Sequence, residues 1–350
     1  MVLSEQPKDI CILRLSAIGD VCHAVSVVQA IQAHYSKAKI TWVIGKVEAA
    51  LLDGLPGVNF VVFDKKQGKA AYQKLQTTFK HKQFDVLLHM QVAFRANLAA
   101  RCIPAKEKIG FDWDRAKEVH TLFINKSIEK QPQAHVLEGF MGFAQALGVP
   151  SAPPKWQIPV SDLDRATALQ YLEGAKKIVV IAPAASGPER NWLPERYAEV
   201  ARYAHNQGFA IAITGGTAEL EQSLSAEIMQ YIDFPVLNLV AKTSLKELLC
   251  VLEQASVVIA PDTGPAHMAV TVGTPVIGLY AHSNPARTGP YLYQDYIVEV
   301  YHKNLLQKFG KTAKQLPWGR RVKGAELMKQ ITTKSVIAMF DRVVEEQNLA

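Results

Sequence analysis

The sequence predicts an α/β protein made of two Rossmann-like, doubly wound domains facing each other across a cleft. Three observations predict it. Short apolar, β-branched runs alternate with helical stretches along the whole chain, the pattern of successive βα units and parallel sheets. One Pro-rich stretch, 149–154, interrupts this alternation and reads as an extended linker, after which the alternation restarts. The chain has 350 residues, long for a single core, and domains of about 150–200 residues are the expectation. The expected division is 1–150 for an N-terminal domain and 155–330 for a C-terminal one. Residues 331–350 are left for a terminal helix that packs back on the N-terminal domain.

In the first half, Ile10-Cys11-Ile12-Leu13-Arg14-Leu15 reads as a buried strand and Ser16-Ala17-Ile18-Gly19-Asp20 as the turn after it. A helix over 21–35 carries Val21, Val25 and Val28 on one stripe. Strands over 40–44 and 59–63 flank the break Gly54-Leu55-Pro56-Gly57. A helix over 70–80, a strand over 85–89, a helix over 94–102, a strand over 108–111 and a helix over 135–147 complete this half. Past the linker come a strand (178–182), a helix opened by Pro194 and closed at Gly208, and a strand (209–214) ending in Gly215-Gly216. A helix over 219–232 follows. Another over 244–254 opens with a capping box of Ser244 and Glu247.

Residues 256–280, SVVIAPDTGPAHMAVTVGTPVIGLY, form the most specific unit. Val257 to Ala260 is a buried strand, and Pro261-Asp262-Thr263-Gly264 is a turn. Pro265 suits the first position of a helix that stops at Gly273, and 276–279 is the next strand. Such a turn aims free N–H groups and the positive end of a helix dipole above the carboxyl ends of the strands, where an anion binds. Gly264 lets a phosphate approach the backbone, and His267 in the first turn can donate to it. The bland reading is a plain βαβ turn with a core histidine. The last helix spans about 333–344, with no strand after it.

Hydrophobic residues make up 49% and charged ones 20% of the chain, a globular balance. No apolar run approaches the ~20 residues needed to span a bilayer, and the N-terminus MVLSEQPKDI does not read as a signal peptide. Cys11, Cys22, Cys102 and Cys250 are scattered without CxxC spacing, which suits reduced thiols in a cytosol and neither disulfides nor zinc. The net charge of +7 is concentrated. Residues 302–334 hold nine lysines and arginines against one acid, so the rest of the chain is near neutral. A local basic surface suggests nucleic acid, an acidic membrane face or a phosphorylated substrate as partner, or is an ordinary solvated face. Zinc-finger spacing and RNP-like aromatics are both missing, which argues against nucleic acid.

The glycine fingerprint GxGxxG is missing after both first strands, as is a Walker A lysine loop, which disfavours a nicotinamide oxidoreductase or a nucleoside triphosphatase. Asp112-Trp113-Asp114 is a DxD triplet of the kind that holds a divalent ion. Its neighbours Lys106, Lys108, Arg115 and Lys117 make that a poor place for a metal, and none is expected. Asp20, after Gly19 at the carboxyl end of the first strand, can accept a proton from a hydroxyl nucleophile or can simply cap a helix. Arg190, in the loop PAASGPERNW after a strand, reads as a diphosphate clamp or as a surface arginine. Glu219 can accept from ribose hydroxyls or favour its helix N-terminus.

Asp262-Thr263-Gly264-Pro265-Ala266-His267 resembles the DTGxxH signature of the ADP-heptose:lipopolysaccharide heptosyltransferases, glycosyltransferase family 9. Residues 12–20 resemble that family's N-terminal strand and S-x-x-GD turn, and Arg190-Asn191-Trp192-Leu193-Pro194 its basic-x-W-P segment. Gly216-Thr217-Ala218-Glu219 resembles its second-domain GxxxE region, and Trp318 to Gly324 a tail seen in some members. The matches span nearly the whole chain in order. The resemblance implies the two-domain GT-B fold and inverting transfer of heptose from ADP-L-glycero-D-manno-heptose to a sugar hydroxyl of the lipopolysaccharide inner core.

By the same resemblance Asp20 is the general base. Arg190, Glu219, Asp262, Thr263, Gly264 and His267 bind the ADP of the donor, with no cofactor and no metal. The N-terminal domain then takes the acceptor and the C-terminal domain the donor. The acceptor is an anionic, lipid-linked saccharide, Kdo-lipid A or heptosylated core, for which Arg95, Arg101, Arg115 and Lys117 are suited. The expected location is cytoplasmic, peripheral to the inner membrane, with no nucleic-acid partner. A GT-B transferase with another sugar nucleotide and a non-catalytic nucleotide-sugar-binding protein are the alternative readings.

Overall fold

The computed structural model describes residues 6–117, 119–131, 135–324 and 326–349. The chain divides into two compact units, Met1–Pro159 and Val160–Ala350. The first is built on β1 (Asp9–Leu13), β2 (Lys39–Gly45), β3 (Val58–Phe63), β4 (Phe84–His89), β5 (Ala105–Gly110) and β6 (Lys126–Ser127). They lie in the order β3-β2-β1-β4-β5-β6 with every pair parallel. Consecutive residues of β1, β2 and β4 are buried, so both faces of the sheet are covered, which is why these strands read as continuous apolar runs. Asp85, near the start of β4, accepts from Lys106 Nζ (2.8 Å) and from the N–H groups of Lys8 (2.9 Å) and Asp9 (3.0 Å). These contacts tie the entry of β1 to its neighbours and hold the carboxyl at about 2.

The helix after β1 spans Ile18–His34 and so begins three residues before the 21–35 that periodicity predicts. Asp20 is therefore helical rather than part of the turn, and its carboxylate accepts from the N–H of Ala17 at 3.4 Å. Val21, Val25 and Val28 are buried, but so are Cys22, Ala24 and Val27. This is a helix enclosed nearly all round, not one with a single apolar stripe.

The second unit repeats the topology. Its strands are β7 (Ile178–Ile181), β8 (Ala210–Ile213), β9 (Leu237–Asn238), β10 (Val257–Pro261), β11 (Val276–Tyr280) and β12 (Ile297–Glu299). All are parallel, in the order β12-β11-β10-β7-β8-β9. In each sheet the chain reverses its direction of winding between the unit's first and fourth strands, β1 and β4 or β7 and β10, and ligands bind outside the carboxyl ends at such a switch point. The capping box at Ser244 and Glu247 is present: Ser244 Oγ accepts from Glu247 N (3.2 Å), and Glu247 Oε2 accepts from Ser244 N (2.7 Å).

The terminal helix spans Thr333–Glu346. Its apolar face, Val336, Phe340 and Val343, lies in the second unit's own core, with Phe340 edge-on to Phe209 at 5.3 Å. That face is thus not free to pack back on the N-terminal domain, as the sequence reading expects. The pattern also leaves out the helices Lys46–Leu52, Asp162–Tyr171 and Tyr301–Phe309 and the edge strands β6, β9 and β12. Strands of two or three residues are too short to show a period.

At the end of β4, His89 forms a buried cluster with Asn97 and His120. His89 Nε2 is 2.8 Å and His120 Nδ1 3.0 Å from Asn97 Oδ1, and the two rings are 4.4 Å apart. The N–H of Phe111 donates to His120 Nε2 (3.2 Å). The hydrogen-bond network therefore assigns the His120 proton to Nδ1 and makes both rings donors to one amide oxygen. Burial, helped at His89 by His120, Lys108 and Arg14, lowers the two pKa values from 6.5 to about 3 for His89 and about 4 for His120. Neutral rings are thus favoured in the fold, and stability is complete above the unfolded value of 6.5. It is lost as pH falls from there through about 4, at up to about 1.4 kcal/mol per pH unit for each ring. Urea unfolding of the first unit from pH 7 to 5, followed through Trp42, is expected to show this slope, and His120→Asn is expected to reduce it. A flat profile would mean that the rings bind protons in the native state as readily as in the unfolded chain.

Candidate functional site

In the second unit, the carboxyl ends of β10 and β7 meet at the switch point. β10 runs into Asp262 and the helix Gly264–Thr271, which has Pro265 in its first turn as the sequence predicts. β7 runs into the loop that ends in a single turn, Pro188–Arg190. Trp192 anchors that loop. It is fully buried, donates from Nε1 to the Ile331 carbonyl (3.1 Å), and stands edge-on to Tyr197 at 5.1 Å. Asn191 Oδ1 accepts from the N–H of Ala185 (2.7 Å) and closes the loop.

So held, Arg190 is only 19% exposed. Its Nη1 donates to the Asp262 carbonyl (2.8 Å) and its Nη2 to Ser186 Oγ (2.7 Å). Asp262 is the hub. Oδ2 accepts from Ser283 Oγ (2.9 Å) and Thr288 Oγ1 (3.2 Å) and lies 3.8 Å from Arg190 Nη1, while Oδ1 lies 3.7 Å from His267 Nε2. Burial alone raises this carboxyl, but His267, Arg190 and Ser283 outweigh it and hold the group below its ordinary value, so it stays a carboxylate. Thr263 is the N-cap residue, yet it makes no side-chain capping bond, and its buried Oγ1 has no hydrogen-bond partner among the described residues. A helix N-terminus, a fixed guanidinium, an imidazole and an unengaged hydroxyl thus share one place, which is the equipment of a site for a diphosphate.

The structure therefore brings Arg190, Asp262, Thr263, Gly264 and His267 together. Among the described residues no hydrogen bond or ion pair ties Glu219 to them. Glu219 is the exposed first residue of the helix Glu219–Gln230, at the carboxyl end of the neighbouring β8. The acid that folds over the glycine turn is Glu221, since a Cβ on Gly216 would lie 2.6 Å from Glu221 Oε2. Glu221, Ser283 and Thr288 are absent from the sequence reading. Glu221 had a usable signal in its closeness to Gly215-Gly216. Ser283 and Thr288 had none, because their tie to Asp262 spans a strand crossover. Replacing both hydroxyls (Ser283→Ala with Thr288→Val) is expected to weaken diphosphate binding by about three- to tenfold, the scale of one or two modest hydrogen bonds. Titration calorimetry checks this, and unaltered affinity would mean that Arg190 and His267 alone set the carboxylate.

In the first unit, Asp20 occupies the matching place. It is paired with Arg14 Nη2, and its side chain is 33% exposed. Arg14 Nη1 donates to the Met90 carbonyl (2.6 Å), the guanidinium lies 5.1 Å over the Phe140 ring, and Gln91 Oε1 accepts from the N–H of Leu15 (2.7 Å). The turn after β4 therefore holds the turn after β1. Burial pushes the Arg14 guanidinium down and Asp20 counters it. Arg14 is a positioning residue absent from the candidates above, although an arginine inside an otherwise apolar strand was a visible signal.

The basic candidates divide. Arg95, Arg101 and Lys117 are exposed. Arg115 is engaged: Nη2 donates to the Gln131 carbonyl (2.7 Å), Nε lies 3.6 Å from Asp112, and a Cβ on Gly139 would collide with Nη1. In the DxD triplet, Asp112 turns to Arg115, and Asp114 Oδ2 lies 2.6 Å from Lys130 Nζ.

Residues 72–318 match the profile of the family described as glycosyltransferase family 9 (heptosyltransferase). The chain is 43% identical over 342 residues to "Lipopolysaccharide core heptosyltransferase OpsX" of Haemophilus influenzae, covering 98% of this chain and 99% of that one. Its fold is similar to a solved glycosyl transferase family 9 protein of Veillonella parvula (TM-score 0.82, 19% identity, 99% and 100% covered). It is also similar to "E. coli heptosyltransferase WaaC with ADP" (TM-score 0.70, 20% identity, 96% and 99% covered).

Proposed function

This chain belongs to glycosyltransferase family 9, the heptosyltransferases of lipopolysaccharide core assembly, and from that premise we propose its donor, acceptor and chemical route. The donor is ADP-L-glycero-D-manno-heptose, bound by the C-terminal domain. The acceptor is a sugar hydroxyl of the inner core on an anionic lipid-linked saccharide, Kdo-lipid A or heptosylated core, taken by the N-terminal domain. The observation that carries the reading is the assembly of Arg190, His267 and the free N-terminus of the helix Gly264–Thr271 around Asp262.

The route is one inverting displacement. The acceptor oxygen bonds to the anomeric carbon as the bond from that carbon to the diphosphate oxygen breaks. The acceptor proton goes to Asp20, and the negative charge goes to the departing ADP. Arg190, the helix N–H groups and the Thr263 hydroxyl meet that charge, so no metal is assigned a step. Gly264 leaves the backbone open to the phosphates. A carboxylate is a poor neighbour for a diphosphate, so Asp262 serves by aiming Arg190 and His267. Glu219 or Glu221 receives the ribose hydroxyls. Exposed Arg95, Arg101 and Lys117 suit the acceptor's anionic groups, while Arg115, already engaged, shapes the loop beside them. The protein works at the cytoplasmic face of the inner membrane as a peripheral enzyme. No helix among the described residues is long and apolar enough to cross a membrane.

Thermal stabilisation by ADP, UDP, GDP, CMP and NAD, each with and without Mg²⁺, tests the donor site, because a ligand of the folded state raises its stability by RT ln(1 + [L]/Kd). A shift with ADP alone, indifferent to Mg²⁺, is expected. A shift with UDP or GDP instead would keep the fold and discard the donor.

A further inference from the structure

After β12 the second unit carries a small folded cap. The helix Tyr301–Phe309 and the loop that follows close over their own core of Tyr301, Leu305 and Val322, with Phe309 and Leu316 packed against it. Arg320 lies 5.5 Å over the Phe309 ring, its carbonyl accepts from the Tyr301 hydroxyl (2.8 Å), and the N–H of Val322 donates to the His282 carbonyl (2.9 Å). The basic stretch is therefore a shaped element and not a loose tail.

Between residues 302 and 324 there are seven lysines and arginines and no acid, and all seven are exposed. Elsewhere Arg165 faces Glu253, Arg202 faces Asp233 and Lys130 faces Asp114. Leu306 is 53% exposed one turn from Lys303 on the same helix face, so an apolar side chain stands among the cations.

We propose that this cap is the surface by which the protein docks on an anionic lipid bilayer. Negative headgroups attract clustered lysines and arginines, and Leu306 can enter the interface between headgroups and acyl chains. A nucleic acid would satisfy the charge but would offer Leu306 nothing apolar. The inference rests on the reading of a lipid-linked acceptor, which an enzyme meets at such a surface.

The test compares the full chain with Lys303→Glu/Lys311→Glu/Lys314→Glu and with Leu306→Ser. Co-sedimentation uses vesicles of phosphatidylglycerol with phosphatidylcholine, vesicles of phosphatidylcholine alone, and duplex DNA. Wild type is expected on the anionic vesicles only, and to leave them in about 0.5 M salt, where screening is nearly complete over a few ångströms. The triple variant is expected to lose about tenfold or more in partitioning and Leu306→Ser a few-fold, both with unchanged ADP binding. Equal partitioning of wild type and the triple variant would overturn the proposal, as would partitioning indifferent to anionic lipid or preference for DNA. Transfer to a delipidated, soluble inner-core saccharide is run alongside and is expected to survive in the triple variant. A parallel loss there would assign the patch to the saccharide and overturn lipid docking. Absence of transfer by wild type would instead sink the reading of the function and leave the vesicle result standing.

Discussion

Asp20→Asn is expected to fold, to bind ADP as wild type does, and to lose transfer by about 10²-fold or more, the usual size of a general-base contribution. A carboxamide is isosteric and can still accept from the N–H of Ala17 and from Arg14, so the helix start keeps its cap. What it cannot do is take the proton of the acceptor hydroxyl. The substitution also leaves Arg14, 9% exposed, beside a neutral partner. A loss of about 1–2 kcal/mol in stability is therefore expected as well, since the pair is only partly buried and Asp20 faces solvent on one side. Turnover must accordingly be measured well below the variant's own midpoint. Single-turnover rates with saturating donor separate the chemical step from binding. Near-normal rates would remove Asp20 from the mechanism and leave it the capping residue that its position in the first helical turn equally suits.

Arg190→Ala is expected to weaken ADP by roughly 1.5–3 kcal/mol, about ten- to 150-fold in Kd, the range of a charge-assisted hydrogen bond. The guanidinium is pre-organised by the Asp262 carbonyl and by Ser186, so little entropy is lost when a phosphate arrives. Arg190→Lys is expected to recover only part of the affinity, because an ammonium cannot hold both tethers with one planar fork and still face the ligand. Calorimetric titration of ADP decides it. Unchanged affinity in the alanine variant would mean that the side chain serves only the loop containing Trp192.

Much of the turn after β10 was legible because it is local. Pro265 at a helix start and Gly273 at its end are backbone signals carried by single residues, and the helix Gly264–Thr271 lies between them. Strands β1, β7, β10 and β11 were legible as apolar runs because parallel strands covered on both faces leave no polar alternation to confuse them. The start of the helix Ile18–His34 was less so. No serine, threonine or asparagine caps it; Asp20 does so from inside, as the third helical residue.

The two α/β domains, the family and most candidate donor residues can be read from the chain alone, since each follows from periodicity, turn chemistry or a short contiguous motif. Long-range packing alone sets what those residues touch. Arg14 reaches the Met90 carbonyl across 76 positions, and Ser283 and Thr288 reach Asp262 across 21 and 26. It also decided that Glu221, not Glu219, covers the glycine turn, and that the terminal helix gives its apolar face to the second unit's core. The reason is that backbone propensity acts over a few residues, whereas the partners at a switch point come from strands that sheet order, not chain order, makes neighbours.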